Sequence, residues 1–206
     1  MKHHGLVYTA DSIRAMLEGR KTVTRRVIKP QPEVTEVVPT SQANLGDWSL
    51  LIQYKGKDYY AWSTFMREHC RYSVGDLLYA KETWRLSTHE DGEPCSCYRA
   101  DNMCQCGRPS RINIEEAKWK SPRFMPKRYA RIWREITGVR PELLLDGMTD
   151  EEAVLEGVEV WLRRHPEYQG YDLRSCYFLW FDELHGLGTS KENLWLWRIE
   201  YKEVER

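Results

Sequence analysis

Residues 19–26 form a basic stretch that joins an amphipathic segment to an extended one. Before the stretch, apolar residues at helical spacing predict a helix over about 11–18, which Gly19 ends. After it, the pattern predicts a strand over about 22–28 that stops at Pro30. The fold must therefore turn from helix to strand within these few residues.

The same stretch concentrates positive charge. Residues 20–29 hold five basic residues and no acidic one, although the whole chain has 31 Lys and Arg against 31 Asp and Glu. Such a cluster needs a partner, which could be a phosphate, a carboxylate elsewhere in the fold or a polar substrate. Alternate residues of a strand share a face, so Thr24 and Arg26 lie on one face and Arg25 lies on the other. With Lys21, the first two could line one wall of a pocket.

This stretch resembles a known signature. It is similar to the Gly-x-Lys-x-x-Glu-x-Arg motif of ASCH domains, small β-barrels related to the PUA fold. Where that motif has Glu, this chain has Thr24, as in Gly-Arg-Lys-Thr-x-Thr-x-Arg of the bacterial N4-acetylcytidine amidohydrolases. The wider chain resembles the larger ASCH-like proteins of phages and prophages. The motifs shared with those proteins lie at 24–30, 75–84, 122–126, 153–157 and 195–200.

The resemblance implies an α+β fold built on a curled antiparallel β-barrel with flanking helices. The order of the predicted elements is mixed and has no βαβ rhythm, which also favours the α+β class. At 206 residues the chain is expected to form a single domain over 1–206. Insertions are expected at about 33–70 and 86–117, because the resemblance does not extend over them.

A catalytic set is also implied by the resemblance. The amidohydrolases use a Lys, a Thr and a Glu, which correspond to Lys21, Thr24 and, counted from the turn at 145–149, Glu156. A threonine hydroxyl becomes a nucleophile when a base takes its proton, and a lysine kept neutral by burial can be that base. A carboxylic acid can protonate the leaving amine. Each residue also has a plainer interpretation, as a surface cation, a strand residue and a solvated helix residue respectively.

Five further residues near this set are predicted to bind the substrate. Arg20, Arg25 and Arg26 supply positive charge beside the lysine. Glu82 and Trp84 share one face of a predicted strand, where they could hold a base by its edge and by its face.

The charges of the chain are segregated into two runs. Residues 118–134 hold seven cations and no anion, whereas residues 142–159 hold seven anions and no cation. The two runs could be solvated faces that pair with each other. Alternatively, the basic run interleaves rings with cations to stack bases and contact phosphates. Its candidate nucleic-acid-binding residues are Arg123, Lys127 and Arg128.

Four cysteines lie within twelve residues, at Cys95, Cys97, Cys104 and Cys106. No apolar run approaches the roughly 20 residues of a membrane span, and no signal-peptide core follows the N-terminus. The chain is therefore expected to be cytoplasmic, where thiols stay reduced. Four thiols then suggest a structural zinc site, although Cys-x-Cys is not the usual spacing. The alternative is an exposed, reduced loop.

These observations lead to a functional hypothesis. The chain is expected to be an ASCH-type protein that binds RNA or a modified nucleoside or nucleotide and hydrolyses an N4-acylated cytidine without a catalytic cofactor. The alternatives are a non-catalytic RNA- or nucleotide-binding module, a ribonuclease and a phage assembly protein.

Overall fold

The computed structural model describes residues 1–38, 49–59, 61–88, 94–109 and 117–204. In chain order its helices and strands are β1 (His3–Val7), α1 (Ala10–Leu17), β2 (Val23–Val27), β3 (Glu33–Val38), β4 (Ser49–Tyr54), β5 (Lys57–Tyr59), α2 (Trp62–His69), β6 (Leu77–Lys81), β7 (Trp84–Thr88), β8 (Pro94–Tyr98), β9 (Trp133–Leu143), α3 (Leu144–Gly147), α4 (Asp150–Glu156), α5 (Val158–Leu162), α6 (Leu173–His185) and β10 (Trp195–Glu203). No helix in these ranges has the length and apolar character needed to cross a membrane.

The main sheet has five strands in the order β1-β6-β9-β10-β2. The α+β class is confirmed, but the expected antiparallel barrel is wrong in two respects. First, β1 pairs with β6 in parallel. A parallel pair needs a long crossover connection, and the chain between β1 and β6 supplies it. Second, within the described ranges no ladder joins the edge strands β1 and β2. A side chain bridges them instead, since Arg26 Nη2 donates to the carbonyl oxygen of Val7 at 3.0 Å.

Two apolar cores lie on opposite faces of this sheet, as β10 shows. Leu196 packs into a core formed with helices α3 to α6. Its neighbours Trp197 and Ile199 pack into the other core, because successive strand residues point to opposite faces. That second core also contains Ile52 and Phe65, so the described part of the 33–70 region packs against the main sheet.

The sequence pattern around α1 forms the predicted helix. The hydroxyl of Thr9 caps α1 by accepting from the Ser12 N–H at 3.2 Å. Gly19 follows the helix with a φ of 70°, a conformation that favours glycine. The next turn directs the chain into β2, where the Thr22 N–H donates to the carbonyl oxygen of Leu155 at 3.0 Å. This bond ties β2 to helix α4.

Gly157 ends α4 and allows that helix to approach α1. Its φ is +83°, and a Cβ added there would lie 2.5 Å from the Cβ of Ala15. The site therefore excludes a side chain both by its backbone conformation and by crowding. The contact sets the distance between the end of α4 and the chain that follows α1.

We expect Gly157→Ala to lower the free energy of unfolding by about 2–4 kcal/mol. The alanine would have to adopt a left-handed backbone conformation, and its Cβ would also clash with Ala15. Gly188 is a matched control, since its φ is +85° and nothing lies within 4 Å of its added Cβ. Gly188→Ala should cost only about 1–2 kcal/mol. Urea denaturation of both variants measures the difference. Equal losses would show that the approach of α4 to α1 is not tight.

Candidate active site

A cavity of about 450 Å³ lies where β1, β2, α4 and α6 meet. Lys21, Thr24 and Glu156 all line it, so the structure brings together the three residues that the resemblance named. Helix α6 contributes aromatic side chains to the wall, and β1 leads into Tyr8 on the other side. The aromatic residues in the lining are Tyr8, Tyr177, Trp180 and Phe181.

Lys21 and Glu156 form a buried pair across 135 residues of sequence. Each is only 3% exposed. Lys21 Nζ donates to the main-chain oxygen of Glu156 at 2.8 Å and to its carboxylate Oε2. The plainer interpretations, a surface cation and a solvated helix residue, are therefore wrong for this pair.

Burial is the main influence on the pKa of Lys21 and lowers it. Glu156 opposes this effect through its charge and hydrogen bond, while the charges of Arg26 and Arg25 add to it. The net direction is downward, which favours the neutral amine. A buried lysine of this kind can act as a base.

Thr24 is the second residue of β2 and pairs with Ile199 of β10. It is buried and lines the cavity. The buried hydroxyl of Tyr8 lies near it and near Arg26. Among the described residues this hydroxyl has no hydrogen-bond partner at normal geometry, and neither has Arg26 Nε. Two donor groups of cavity-lining residues thus have no protein acceptor within the described ranges.

Arg25 is held by carboxylates, one of the partners that the sequence left open. Its guanidinium donates to Glu142 at 2.7 Å, to Glu152 at 2.6 Å and to Glu156 at 3.2 Å. Arg198 of β10 joins the same network through Glu152, at 2.7 Å. Arg25 reaches the cavity lining, but its contacts make it a residue that positions Glu156.

The other two arginines of the basic stretch have different surroundings. Arg26 lines the cavity, and its guanidinium carbon lies 4.7 Å from the ring centroid of Tyr8. Arg20 is exposed and pairs with Glu18 and Glu159. The structure therefore does not bring Arg20 into the cavity lining.

The strand predicted through Glu82 and Trp84 is interrupted, because β6 ends at Lys81 and β7 begins at Trp84. At the break, the Glu82 N–H donates to Met125 Sδ at 3.3 Å instead of continuing a ladder. The Glu82 carboxylate is buried and held by Arg131 through two bonds of 2.9 Å. Both residues therefore lie outside the 450 Å³ cavity, and Trp84 belongs to a separate apolar core.

The basic run forms a second surface. Lys127 and Arg128 are exposed and line a shallow groove with Arg131 and Trp133. Arg123 is exposed on a 3-10 turn within the same run. In the described ranges, the carboxylates of the acidic run form ion pairs with Lys21, Arg20, Arg25, Arg140 and Arg198. None of these cations belongs to the basic run.

Sequence reasoning missed Tyr8, Trp180 and His185 as cavity residues. Burial lowers the pKa of His185, and the charges of Arg26 and Lys29 lower it further, which favours the neutral imidazole. The sequence signal for the cavity face of α6 is its helical spacing. Residues 177, 181, 184 and 185 are separated by four, three and one positions, which places them on one face of a helix.

Three of the four clustered cysteines form a group that could hold a metal ion. The Sγ atoms of Cys95, Cys104 and Cys106 all lie within 4.8 Å of one another. Cys97 Sγ lies 2.7 Å from that of Cys104, across a bridge between β8 and the following turn. The other two cysteines, Cys70 and Cys176, pack elsewhere.

Comparison of the chain with models of protein families, with curated proteins and with solved structures found no match.

The Arg25 network should control stability. Arg25→Met would remove a buried cation that is shared by one buried carboxylate, Glu156, and two half-buried ones, Glu142 and Glu152, so we expect a loss of about 3–5 kcal/mol in the free energy of unfolding. Arg20→Met removes only an exposed pair and should cost about 0–1 kcal/mol. Denaturant titration at pH 7 compares the two variants, and similar losses would contradict a dominant role for the network.

The same network predicts a pH dependence. Burial alone would raise the pKa of Glu152, but hydrogen bonds from Arg198 and Arg25 outweigh burial and lower it. A lowered carboxylate pKa contributes stability above the ordinary pKa, and that stability is lost as the pH falls through the folded value. The wild type should therefore lose stability on acidification below about pH 4.5, whereas Arg25→Met should lose less. Curves of unfolding free energy against pH that run parallel for the wild type and Arg25→Met would contradict this prediction.

Proposed function

We propose that the protein is an ASCH-type protein whose cavity binds the base of a modified nucleoside and hydrolyses its N4-acyl amide. The observation that carries the proposal is the buried Lys21–Glu156 pair beside Thr24. Burying two ionisable groups is costly, and a cavity residue whose pKa is lowered by burial beside a specific charge partner, as that of Lys21 is, is a candidate for a functional role. Thr24 adds the hydroxyl that such a pair could activate.

The walls of the cavity suit a nucleobase. Tyr8, Tyr177, Trp180 and Phe181 offer aromatic faces and edges, and bases stack on such side chains. A volume of about 450 Å³ falls in the range of small-molecule sites. The base would enter with its acyl group directed at Thr24.

In the first step, neutral Lys21 takes the proton of the Thr24 hydroxyl while Oγ attacks the acyl carbonyl carbon. The oxygen of that carbonyl becomes negatively charged, and Nε of Arg26 is a donor that could stabilise it. The carbon–nitrogen bond then breaks, and the ammonium formed on Lys21 gives its proton to the leaving amine. The products of this step are an acyl-threonine and the free amine of the base, with Lys21 neutral again and the Glu156 carboxylate unchanged.

In the second step, water attacks the acyl-threonine ester. Neutral Lys21 takes a proton from the water and then gives it to Thr24 Oγ as the ester bond breaks. The carboxylic acid is released, and Lys21 returns to its neutral form. The close contact with Glu156 suits this cycle, because the carboxylate holds Lys21 in place and stabilises its transient positive charge in both steps.

A second candidate is a binding module without catalysis. Lys21 Nζ already donates to two oxygens of Glu156, which satisfies the pair without a substrate. The exposed Lys127 and Arg128 would then bind phosphates of RNA in the shallow groove.

We also propose that the cysteine cluster holds a structural zinc ion. Tetrahedral zinc–thiolate bonds of about 2.3 Å place sulfurs roughly 3.8 Å apart, and the spacing of Cys95, Cys104 and Cys106 fits this geometry. Cys97 lies outside this group, and its Sγ, 2.7 Å from that of Cys104, would have to move outwards to supply the fourth ligand. The ion would fix the β7–β8 hairpin and would take no part in hydrolysis.

Turnover of N4-acetylcytidine to cytidine tests the catalytic proposal. Thr24→Val keeps the shape of a buried strand residue and removes the nucleophile, so kcat/KM should fall on the order of 10²–10⁴-fold or more. Lys21→Met should be at least as damaging. Thr22→Val, at the neighbouring exposed threonine, is the matched control and should retain activity.

Circular dichroism establishes that each of these variants is folded. Retained turnover in Thr24→Val would overturn the mechanism. Absence of turnover in the folded wild type, together with RNA binding that weakens in Lys127→Ala and falls with salt, would favour the binding module.

Elemental analysis of the purified protein tests the zinc proposal, with about one equivalent expected. Cys106→Ser should lose most of the metal, because it removes a ligand. Cys70→Ser changes a cysteine outside the cluster and should retain the full amount. A metal-free wild type purified without chelators would contradict the proposal.

A further inference from the structure

A second cavity, of about 470 Å³, adjoins the first. A ligand in one cavity can extend into the other, because the two are lined by common residues. Those shared residues are Tyr8, Thr9, Thr83, Trp180 and Leu184.

The second cavity has a more charged lining than the first. Asp11 is buried there between two guanidiniums, with Arg14 Nη1 at 3.0 Å and Arg164 Nε at 2.8 Å. Glu82 is held by Arg131, and Glu183 accepts a hydrogen bond of 2.7 Å from the indole of Trp161. Each carboxylate of the lining thus has a donor of its own.

Arg99 differs from the other cations of this lining. Its main-chain N–H donates to the carbonyl oxygen of Thr83 at 3.0 Å, which holds the residue at the cavity. Its guanidinium is exposed and makes no hydrogen bond or ion pair within the part of the chain that the structure describes. Five N–H donors are therefore available to an anion.

Two further features of the lining favour an anion. Helix α1 begins here, with Thr9 as its cap and Ala10 and Asp11 in its first turn, so the positive end of the helix faces the cavity. Independently, Tyr8 lines both cavities and is only 7% exposed, and among the described residues its hydroxyl has no hydrogen-bond partner at normal geometry. An unsatisfied buried donor is costly unless a ligand uses it.

We infer that the second cavity binds the phosphate of a nucleoside monophosphate whose base occupies the first cavity. This rests on the proposed function, since it takes the base to lie beside Thr24. Arg99 contacts the phosphate oxygens, and the α1 N-terminus and the Tyr8 hydroxyl complete the donor set. The substrate is then a nucleotide rather than a free nucleoside.

Calorimetric titration with cytidine and with cytidine 5′- and 3′-monophosphates tests this inference. We expect the wild type to bind one of the monophosphates at least tenfold more tightly than cytidine. Arg99→Gln should remove most of that preference, because a charge-assisted contact to phosphate is worth roughly ten- to a hundredfold. Tyr8→Phe should reduce it by a smaller factor. Arg67→Gln, an exposed change on α2, is the control and should leave it unchanged.

Equal affinity of the wild type for cytidine and both monophosphates would overturn the inference, as would an unchanged preference in Arg99→Gln. Arg99-dependent binding of RNA oligomers without binding of a monophosphate would also overturn it. Thr24→Val separates this question from catalysis, because it should abolish turnover while the preference for phosphate persists. If the wild type prefers a monophosphate over cytidine but shows no turnover, the proposed hydrolysis is refuted and the proposed phosphate site stands.

Discussion

The buried contact between Lys21 and Glu156 is the interaction on which the site depends. Two ionisable groups are buried together, one in the turn between α1 and β2 and the other at the end of α4. Such burial is tolerated only when each group has partners. Removal of one partner leaves the other group with the full free-energy penalty of an unpaired buried charge. Arg25 supplies the second partner of Glu156. The geometry of the cavity is thus tied to a network that reaches into β9 and β10.

The backbone around this pair explains how residues so distant in sequence meet. Gly157 permits α4 to approach Ala15 of α1, and the Thr22 N–H joins β2 to the carbonyl oxygen of Leu155. The open sheet leaves a gap between its edge strands, which Arg26 bridges through Val7. A sheet closed by a strand ladder would place main-chain hydrogen bonds where this cavity lies.

The local signals in the sequence predicted much of this arrangement and little of what surrounds it. Helix α1 with its glycine and helix α4 ending before Gly157 follow from spacing and capping, which are local. The cavity face of α6 was missed, although its spacing is a local signal too. The triad of Lys21, Thr24 and Glu156 came from the resemblance. The break between β6 and β7, the position of Trp84 in a core and the second cavity depend on contacts of distant residues such as Met125 and Arg131, which no local pattern records.

The protonation of Lys21 is the most direct measure of whether the pair can act as proposed. Carbon-13 labelling of lysine side chains, with Lys21→Met to assign the signal, allows its titration to be followed by NMR. The proposed chemistry requires a pKa below the ordinary lysine value, in the direction that burial imposes. A signal that titrates at or above the ordinary value would mean that Lys21 is a permanent ammonium, and the base in the first step would be lost.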